Sequence, residues 1–181
     1  MAMVKAFSYG LGTYDVAKLL EENKVDYLGV ANTYEGIELR KAGITLPIMV
    51  MKPEVDSFDL VVEYNLTPAI FSIFALKALI HTFGISTPLT ISLKIDTGMH
   101  RLGFEEKEVP ELLSILKENS FIKIESVFSH LAATDETEHN EFTIQQIEQF
   151  KRISNIILNE FDYQIDQHIL NSNGIINFSI I

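Results

Sequence analysis

The stretch Thr90-Ile91-Ser92-Leu93-Lys94-Ile95-Asp96-Thr97-Gly98-Met99-His100-Arg101 joins a short apolar run to a charged exit. Its first part reads as a strand over Thr90–Asp96. Leu112, Leu113 and Leu116 then repeat at helical spacing, which predicts a helix over Glu108–Glu118. The same unit of strand, polar exit and amphipathic helix recurs along the chain. Further strands are expected at Met3–Phe7, Tyr27–Ala31, Pro47–Met51, Pro68–Ser72, Ile124–Ser129 and Gln167–Leu170. Helices are expected at Tyr14–Asn23, Thr33–Ala42, Val55–Tyr64, Ile73–Phe83 and Glu138–Phe161, and a further helix starts after Asn171-Ser172.

The strands are rich in Val and Ile and apolar on both faces, as parallel strands covered by helices are. A run of β–α units with short connections leaves two architectures, an open doubly wound sheet and a closed barrel. Functional residues in an open sheet gather near one switch point. In a barrel they lie at the carboxyl ends of many strands. Here Lys5 and Tyr9 follow the first strand, Asn32 the second, Lys94, Asp96 and Arg101 the fifth, His130 the sixth, and Asn171 and Ser172 the seventh. That spread predicts an α/β fold of the TIM-type (β/α)8 kind. A complete barrel usually spans about 250 residues, whereas this chain has 181. The expectation is an incomplete barrel, one domain over residues 1–181, with about seven of its βα units present and both ends cut in mid-pattern.

Hydrophobic residues make up 47% of the chain and charged residues 22%, so a disordered or collagen-like polymer is excluded. With 14 Lys and Arg against 25 Asp and Glu, the net charge is −11, a poor basis for binding nucleic acid. No cysteine is present, which removes disulfides, thiolate chemistry and Cys-ligated metals. No apolar run approaches a membrane span, and the first residues lack the order of a signal peptide. A cytoplasmic setting is expected, with neither membrane nor nucleic acid as partner.

Lys5 lies among Met3, Val4, Ala6 and Phe7. A lysine there is paired, at a wet end, or functional. Its amine can form a Schiff base if its surroundings favour the neutral form, and an edge lysine reaching solvent is an equally good reading. Tyr9, beside Gly10 and Gly12, can donate to a phosphate, though a packed surface aromatic is the plainer account. Lys94 and Arg101 set two cations close together, so an anion is required between them: Asp96, a substrate, or a modified lysine. His130 closes the sixth strand. Asn171 and Ser172 can cap the next helix, and Ser172 can also bind phosphate there. His81, His100 and His139 show no ligand spacing, so no metal is expected.

In combination these motifs resemble the N-terminal barrel domain of alanine racemase. The resemblance rests on Val4-Lys5-Ala6 with Tyr9-Gly10, Gly29-Val30-Ala31 with Glu35-Gly36, Leu39-Arg40-Lys41-Ala42-Gly43-Ile44, Pro47-Ile48-Met49-Val50, Lys94 through Phe104, Phe128 through Ala132, and His168 through Ser172. It implies a pyridoxal 5′-phosphate isomerase that interconverts L- and D-alanine and so supplies D-alanine for peptidoglycan and the cell wall. It implies that Lys5 carries the cofactor and moves the Cα proton on one face. Tyr9 and Ser172 would bind the cofactor phosphate. Arg101 would contact the phenolic oxygen and the substrate carboxylate. His130 would join the network beneath the ring, Asn171 would belong to the cofactor site, and Lys94 would be the lysine carbamylated in some members. The Ala6-Phe7-Ser8 wording departs from the commoner asparagine–alanine form and is similar to racemases sometimes fused behind a cell-wall ligase domain. The family's C-terminal β domain, whose tyrosine serves the opposite face in a homodimer, and its eighth strand are not matched in this sequence. Low or no turnover is therefore expected of the 181-residue chain alone. Other readings are a non-catalytic single-domain PLP-binding homeostasis protein, a broad-specificity amino-acid racemase and a D-amino-acid aldolase.

Overall fold

Strands β1 (Ala2–Met3), β2 (Leu28–Val30), β3 (Ile48–Val50), β4 (Thr67–Ile70), β5 (Leu89–Lys94), β6 (Ile122–Phe128) and β7 (Asp166–His168) pair in chain order, every neighbour parallel. The computed structural model describes residues 1–84 and 88–178. Residues 179–181, which close the apolar run that begins at Ile175, lie outside the described residues. Between the strands run α1 (Lys5–Tyr9), α2 (Thr13–Glu22), α3 (Thr33–Lys41), α4 (Phe58–Glu63), α5 (Ile73–Phe83), α6 (Val109–Glu118) and α7 (Asn140–Leu158), and α8 (Ser172–Phe178) follows β7. Short 3-10 turns at Val55–Ser57 and Thr137–His139 lead into α4 and α7, so the expected helices there begin with a tighter turn.

Alternation along each strand builds two apolar layers. Outward-facing Ile91, Leu93, Ile95, Ile124 and Val127 pack with Leu112 and Leu116 of α6 and with Ile153 and Ile157 of α7. Val4, Leu28, Val30, Ile48 and Val50 pack likewise with Ala17, Ile37 and Leu39. Inside the sheet, Met49, Ala69 and Phe128 form a separate cluster with Tyr27 and Met51. The sheet is curled, as the barrel reading requires. Tyr27, just ahead of β2, hydrogen-bonds the Glu125 carboxylate on β6, four strands away. In a flat sheet those strands would be about 19 Å apart.

A one-residue bulge lies at this contact. Ile91 pairs with Ile124 but Ser92 pairs with Ser126, so Glu125 is the extra residue and its side chain turns inward. Tyr27 Oη also lies 2.7 Å from Thr67 Oγ1. Burial, together with Glu125, pushes the Tyr27 phenol well above its usual range.

The expected first strand, Met3–Phe7, is not observed beyond Met3. Lys5 through Tyr9 wind instead into one left-handed turn, with φ of 51° at Ala6, 56° at Phe7, 49° at Ser8 and 56° at Tyr9. The apolar wording of this segment satisfies strand and turn equally well. The turn is held by local backbone hydrogen bonds and by one long-range bond, from Ala6 N–H to Glu35. Among the described residues, β1 pairs only with β2 and β7 only with β6. A cavity of about 960 Å³ opens beside β7, lined in part by Tyr27, Met49, Glu125 and His168.

Candidate active site

Because all strands run the same way, their carboxyl ends share one mouth. The first contributor is α1. A left-handed turn of L-residues costs roughly 1–2 kcal/mol per residue, from crowding between Cβ and the following carbonyl. Several bonds offset that cost. Ser8 N–H donates to the Val4 carbonyl at 3.2 Å, and the N–H groups of Gly10 and Gly12 both reach the Phe7 carbonyl, at 3.0 and 3.1 Å. Ser8 is buried, with its hydroxyl 3.4 Å from the Val4 carbonyl. The Glu35 carboxylate accepts from Ala6 N–H at 2.9 Å and, through its other oxygen, from Ala31 N–H at 2.6 Å. Lys5 therefore leaves the sheet on a constrained peptide, while Tyr9 stands 65% exposed at the same end.

The second contributor is the exit of β5. Lys94 points inward, its amine 5.9 Å from the centre of the Phe128 ring. Burial lowers its pKa. Arg101 and Lys5 add to the effect, and Asp96 opposes it. His130, at the exit of β6, is also lowered, first by desolvation and then by Lys94, Arg101 and Lys5. Lys5, Lys94, Arg101 and His130 all follow the carboxyl ends of strands, and both Lys94 and His130 feel the positive charge of Lys5 and Arg101. Among the described residues, Lys5, Lys94 and Arg101 make no ion pair. Asp96, one of the three anions considered for the space between Lys94 and Arg101, acts on Lys94 through its charge without forming an ion pair with it. Asp96 Oδ1 accepts from the N–H groups of Gly98 and His100 at 2.9 and 3.1 Å, so this oxygen shapes the turn instead of pairing with the cations.

That turn is tightly held. Phe104 N–H reaches the Lys94 carbonyl at 2.8 Å, and Asp96 N–H reaches the Phe104 carbonyl at 3.0 Å. Gly103 has φ of 139°, and a Cβ there would lie 2.4 Å from the Asp96 nitrogen, so only glycine permits the approach. Buried Gln146 of α7 ties this loop to the His130 exit. Its amide nitrogen lies 3.3 Å from the His130 carbonyl and 3.4 Å from Thr97 Oγ1, and its oxygen accepts from Ala132 N–H at 3.0 Å.

At the exit of β7, Asn171 is the cap of α8. Its Oδ1 accepts from Gly174 N–H at 2.8 Å and lies 2.7 Å from Thr134 Oγ1, and its Nδ2 donates to the Leu131 carbonyl at 3.1 Å. The capping account of Asn171 is thus what the geometry displays, and Ser172 is left exposed as the first residue of the helix. Asn32 is likewise a helix cap, accepting from Glu35 N–H at 3.1 Å. His100 is exposed, 3.6 Å from Asp96. Glu136, Glu138 and His139 approach one another on the surface, all three exposed. Sequence reasoning passed over the side-chain roles of Glu35 and Gln146. An N-cap followed three residues later by Glu signals a helix start, but not that the carboxylate reaches another segment.

A curled, all-parallel sheet of seven strands alternating with helices, with Lys94 and His130 at the exits of β5 and β6, defines an incomplete (β/α)8 barrel. Comparison with known proteins narrows this. The model of the alanine racemase N-terminal domain matches residues 1–181. The alanine racemase of Fusobacterium nucleatum is 37% identical over 180 residues, covering 98% of this chain and 49% of that protein. That of Streptococcus pneumoniae is 37% identical over 154 residues, covering 84% of this chain and 41% of that protein. Among solved structures, alanine racemase from Clostridium difficile 630 superposes with a TM-score of 0.91 at 34% identity, over 99% of this chain and 47% of that one. Alanine racemase from Bacillus anthracis with bound L-Ala-P superposes at 0.87 and 31% identity, over 99% and 47%. The chain belongs to the alanine racemase N-terminal domain family. It spans about half the length of the curated relatives it matches.

Proposed function

We propose that this chain carries the lysine half of a pyridoxal 5′-phosphate site, and that the whole protein interconverts L- and D-alanine as a homodimer. The observation that carries the reading is that Lys5, Lys94, Arg101 and His130 all follow the carboxyl ends of strands, with no ion pair made by the three cations among the described residues. Such a donor set fits an anionic group with a reactive carbonyl and a phosphate. When bound, that cofactor spreads the negative charge left on Cα once its proton departs.

The chain's own residues supply the rest. Lys5 would hold the cofactor through its ε-amine, and the same amine takes or returns the Cα proton on one face. The Tyr9 hydroxyl and Ser172, at the exits of β1 and β7, would receive the phosphate, with Asn171 fixing Ser172 through the cap of α8. The Arg101 guanidinium would hold the phenolic oxygen and the substrate carboxylate through its planar fork. His130, kept neutral by desolvation and three cations, can accept or donate a hydrogen bond without adding charge. The lowered pKa of Lys94 raises the share of neutral amine, the form that combines with carbon dioxide to give a carbamate. That carbamate would be the anion between Lys94 and Arg101. The homodimer would supply the base for the opposite face.

The test is a titration of the chain with pyridoxal 5′-phosphate, followed by visible absorbance. Wild type develops the band of lysine-bound cofactor and Lys5→Ala does not. An equal band in both proteins sinks the assignment.

A further inference from the structure

We propose that Glu35 is a positioning residue. Its carboxylate clamps the left-handed turn carrying Lys5 to the carboxyl end of β2, and so sets the direction of the Lys5 amine. The proposal rests on the reading of Lys5 given above and names what holds that lysine in place.

The geometry is specific. Glu35 is the third residue of α3, where a capping-box glutamate would turn back to the N–H of its own cap residue, Asn32. It does not do so. One oxygen accepts from Ala31 N–H at the exit of β2, and the other accepts from Ala6 N–H, 29 residues away. The Ala6 nitrogen belongs to the peptide bonded directly to the Lys5 carbonyl carbon. With Val4 N–H already bonded to the Gly29 carbonyl on the preceding side, holding that peptide plane restricts the direction in which the lysine side chain leaves the backbone.

The clamp is mounted on a rigid base. Asn32 caps α3, Thr33 is buried with its hydroxyl 2.7 Å from Ser57 Oγ, and Gly36 packs so closely that a Cβ there would lie 2.8 Å from the Leu66 side chain. The turn itself has little side-chain anchorage. Ser8 is buried, but Phe7 and Tyr9 are exposed at 66% and 65%. A strained turn with exposed side chains needs an external bond to persist, and Glu35 provides one that reaches the peptide next to Lys5. Hydrogen bonds to a charged acceptor are the stronger class.

The experiment uses wild type, Glu35→Gln and Glu35→Ala and has two arms. The first is amide hydrogen exchange without cofactor. Glutamine keeps one carbonyl oxygen, so E35Q retains one of the two bonds and E35A neither. Exchange in the peptide covering residues 5–12 is expected to quicken by about tenfold in E35A and by less in E35Q, with peptides from β5 and β6 unchanged. The second arm is borohydride trapping of pyridoxal 5′-phosphate, with the modified lysine located by mass spectrometry. The share trapped at Lys5, relative to other lysines, falls in E35A and is partly rescued in E35Q. A merely structural loss would alter every peptide alike and would not follow the number of bonds retained. Unchanged exchange over residues 5–12 in both variants, or undiminished selectivity for Lys5, overturns the clamp. If E35A does not fold, E35Q decides alone. If wild type is not trapped at Lys5, the cofactor reading fails, and the exchange arm still judges the clamp.

Discussion

Replacing His168 with phenylalanine should flatten the acid dependence of stability. His168 sits at the inner face of β7, its ring stacked on Phe128 with centroids 5.0 Å apart and planes 5° from parallel. Burial is the main reason its pKa is lowered to about 4. The folded value lies below the unfolded one of about 6.5, so the unfolded chain binds the proton more readily. The stabilisation is therefore complete above about pH 6.5, declines as pH falls, and is gone below about pH 4. Its size is about 3 kcal/mol. Phenylalanine keeps an aromatic pair with Phe128 and carries no proton, so His168→Phe should match wild type near neutral pH. Urea unfolding followed by circular dichroism, from about pH 7.5 down to about pH 4, gives the difference between the two proteins. Titrating groups that do not interact with His168, which leaves aside Asp166 and the terminal amine, cancel in that difference. The variant should gain about 3 kcal/mol on wild type across the window, or about 6–12 °C in Tm for a domain of this size. Parallel curves for the two proteins would refute the burial of a neutral imidazole at this position.

Two further changes test the parts that shape the mouth and the interior. Gly103→Ala forces a Cβ against the Asp96 backbone at a φ of 139° and should cost roughly 3 kcal/mol, read as a drop in Tm with loss of near-UV signal. Tyr27→Phe leaves the inward Glu125 carboxylate without its phenol partner and should cost about 1–3 kcal/mol in urea unfolding. The double variant Tyr27→Phe with Glu125→Leu should recover part of that loss, because no polar group is then stranded.

The strands that were legible in the sequence are those whose outward residues are buried under helices. Leu28–Val30 and Ile48–Val50 are apolar runs that suit a covered sheet, and Ile122, Ile124 and Val127 supply the buried positions of β6. The positions of Lys94 and His130 at strand exits were legible for a related reason: polar residues at the end of a buried strand come out at the barrel's rim. Other features were not legible because their causes are distant in sequence. Ala6, Phe7 and Ser8 have no intrinsic preference for the left-handed region, and Glu35 is among the groups that hold them there. The bulge at Glu125 leaves no local mark either, since Ile124 through Ser129 reads as a strand with or without the extra residue. Asn171 read both as a site residue and as a cap, and its amide oxygen and nitrogen are both engaged in the cap region.

The most direct test of the central claim is the location of the trapped cofactor. Wild-type protein is incubated with pyridoxal 5′-phosphate, reduced with borohydride and digested, and the modified peptide is sequenced by mass spectrometry. The structure predicts modification at Lys5, abolished in Lys5→Ala with no transfer to Lys94. Predominant modification at Lys94 or at a surface lysine, with Lys5 left free, would contradict it.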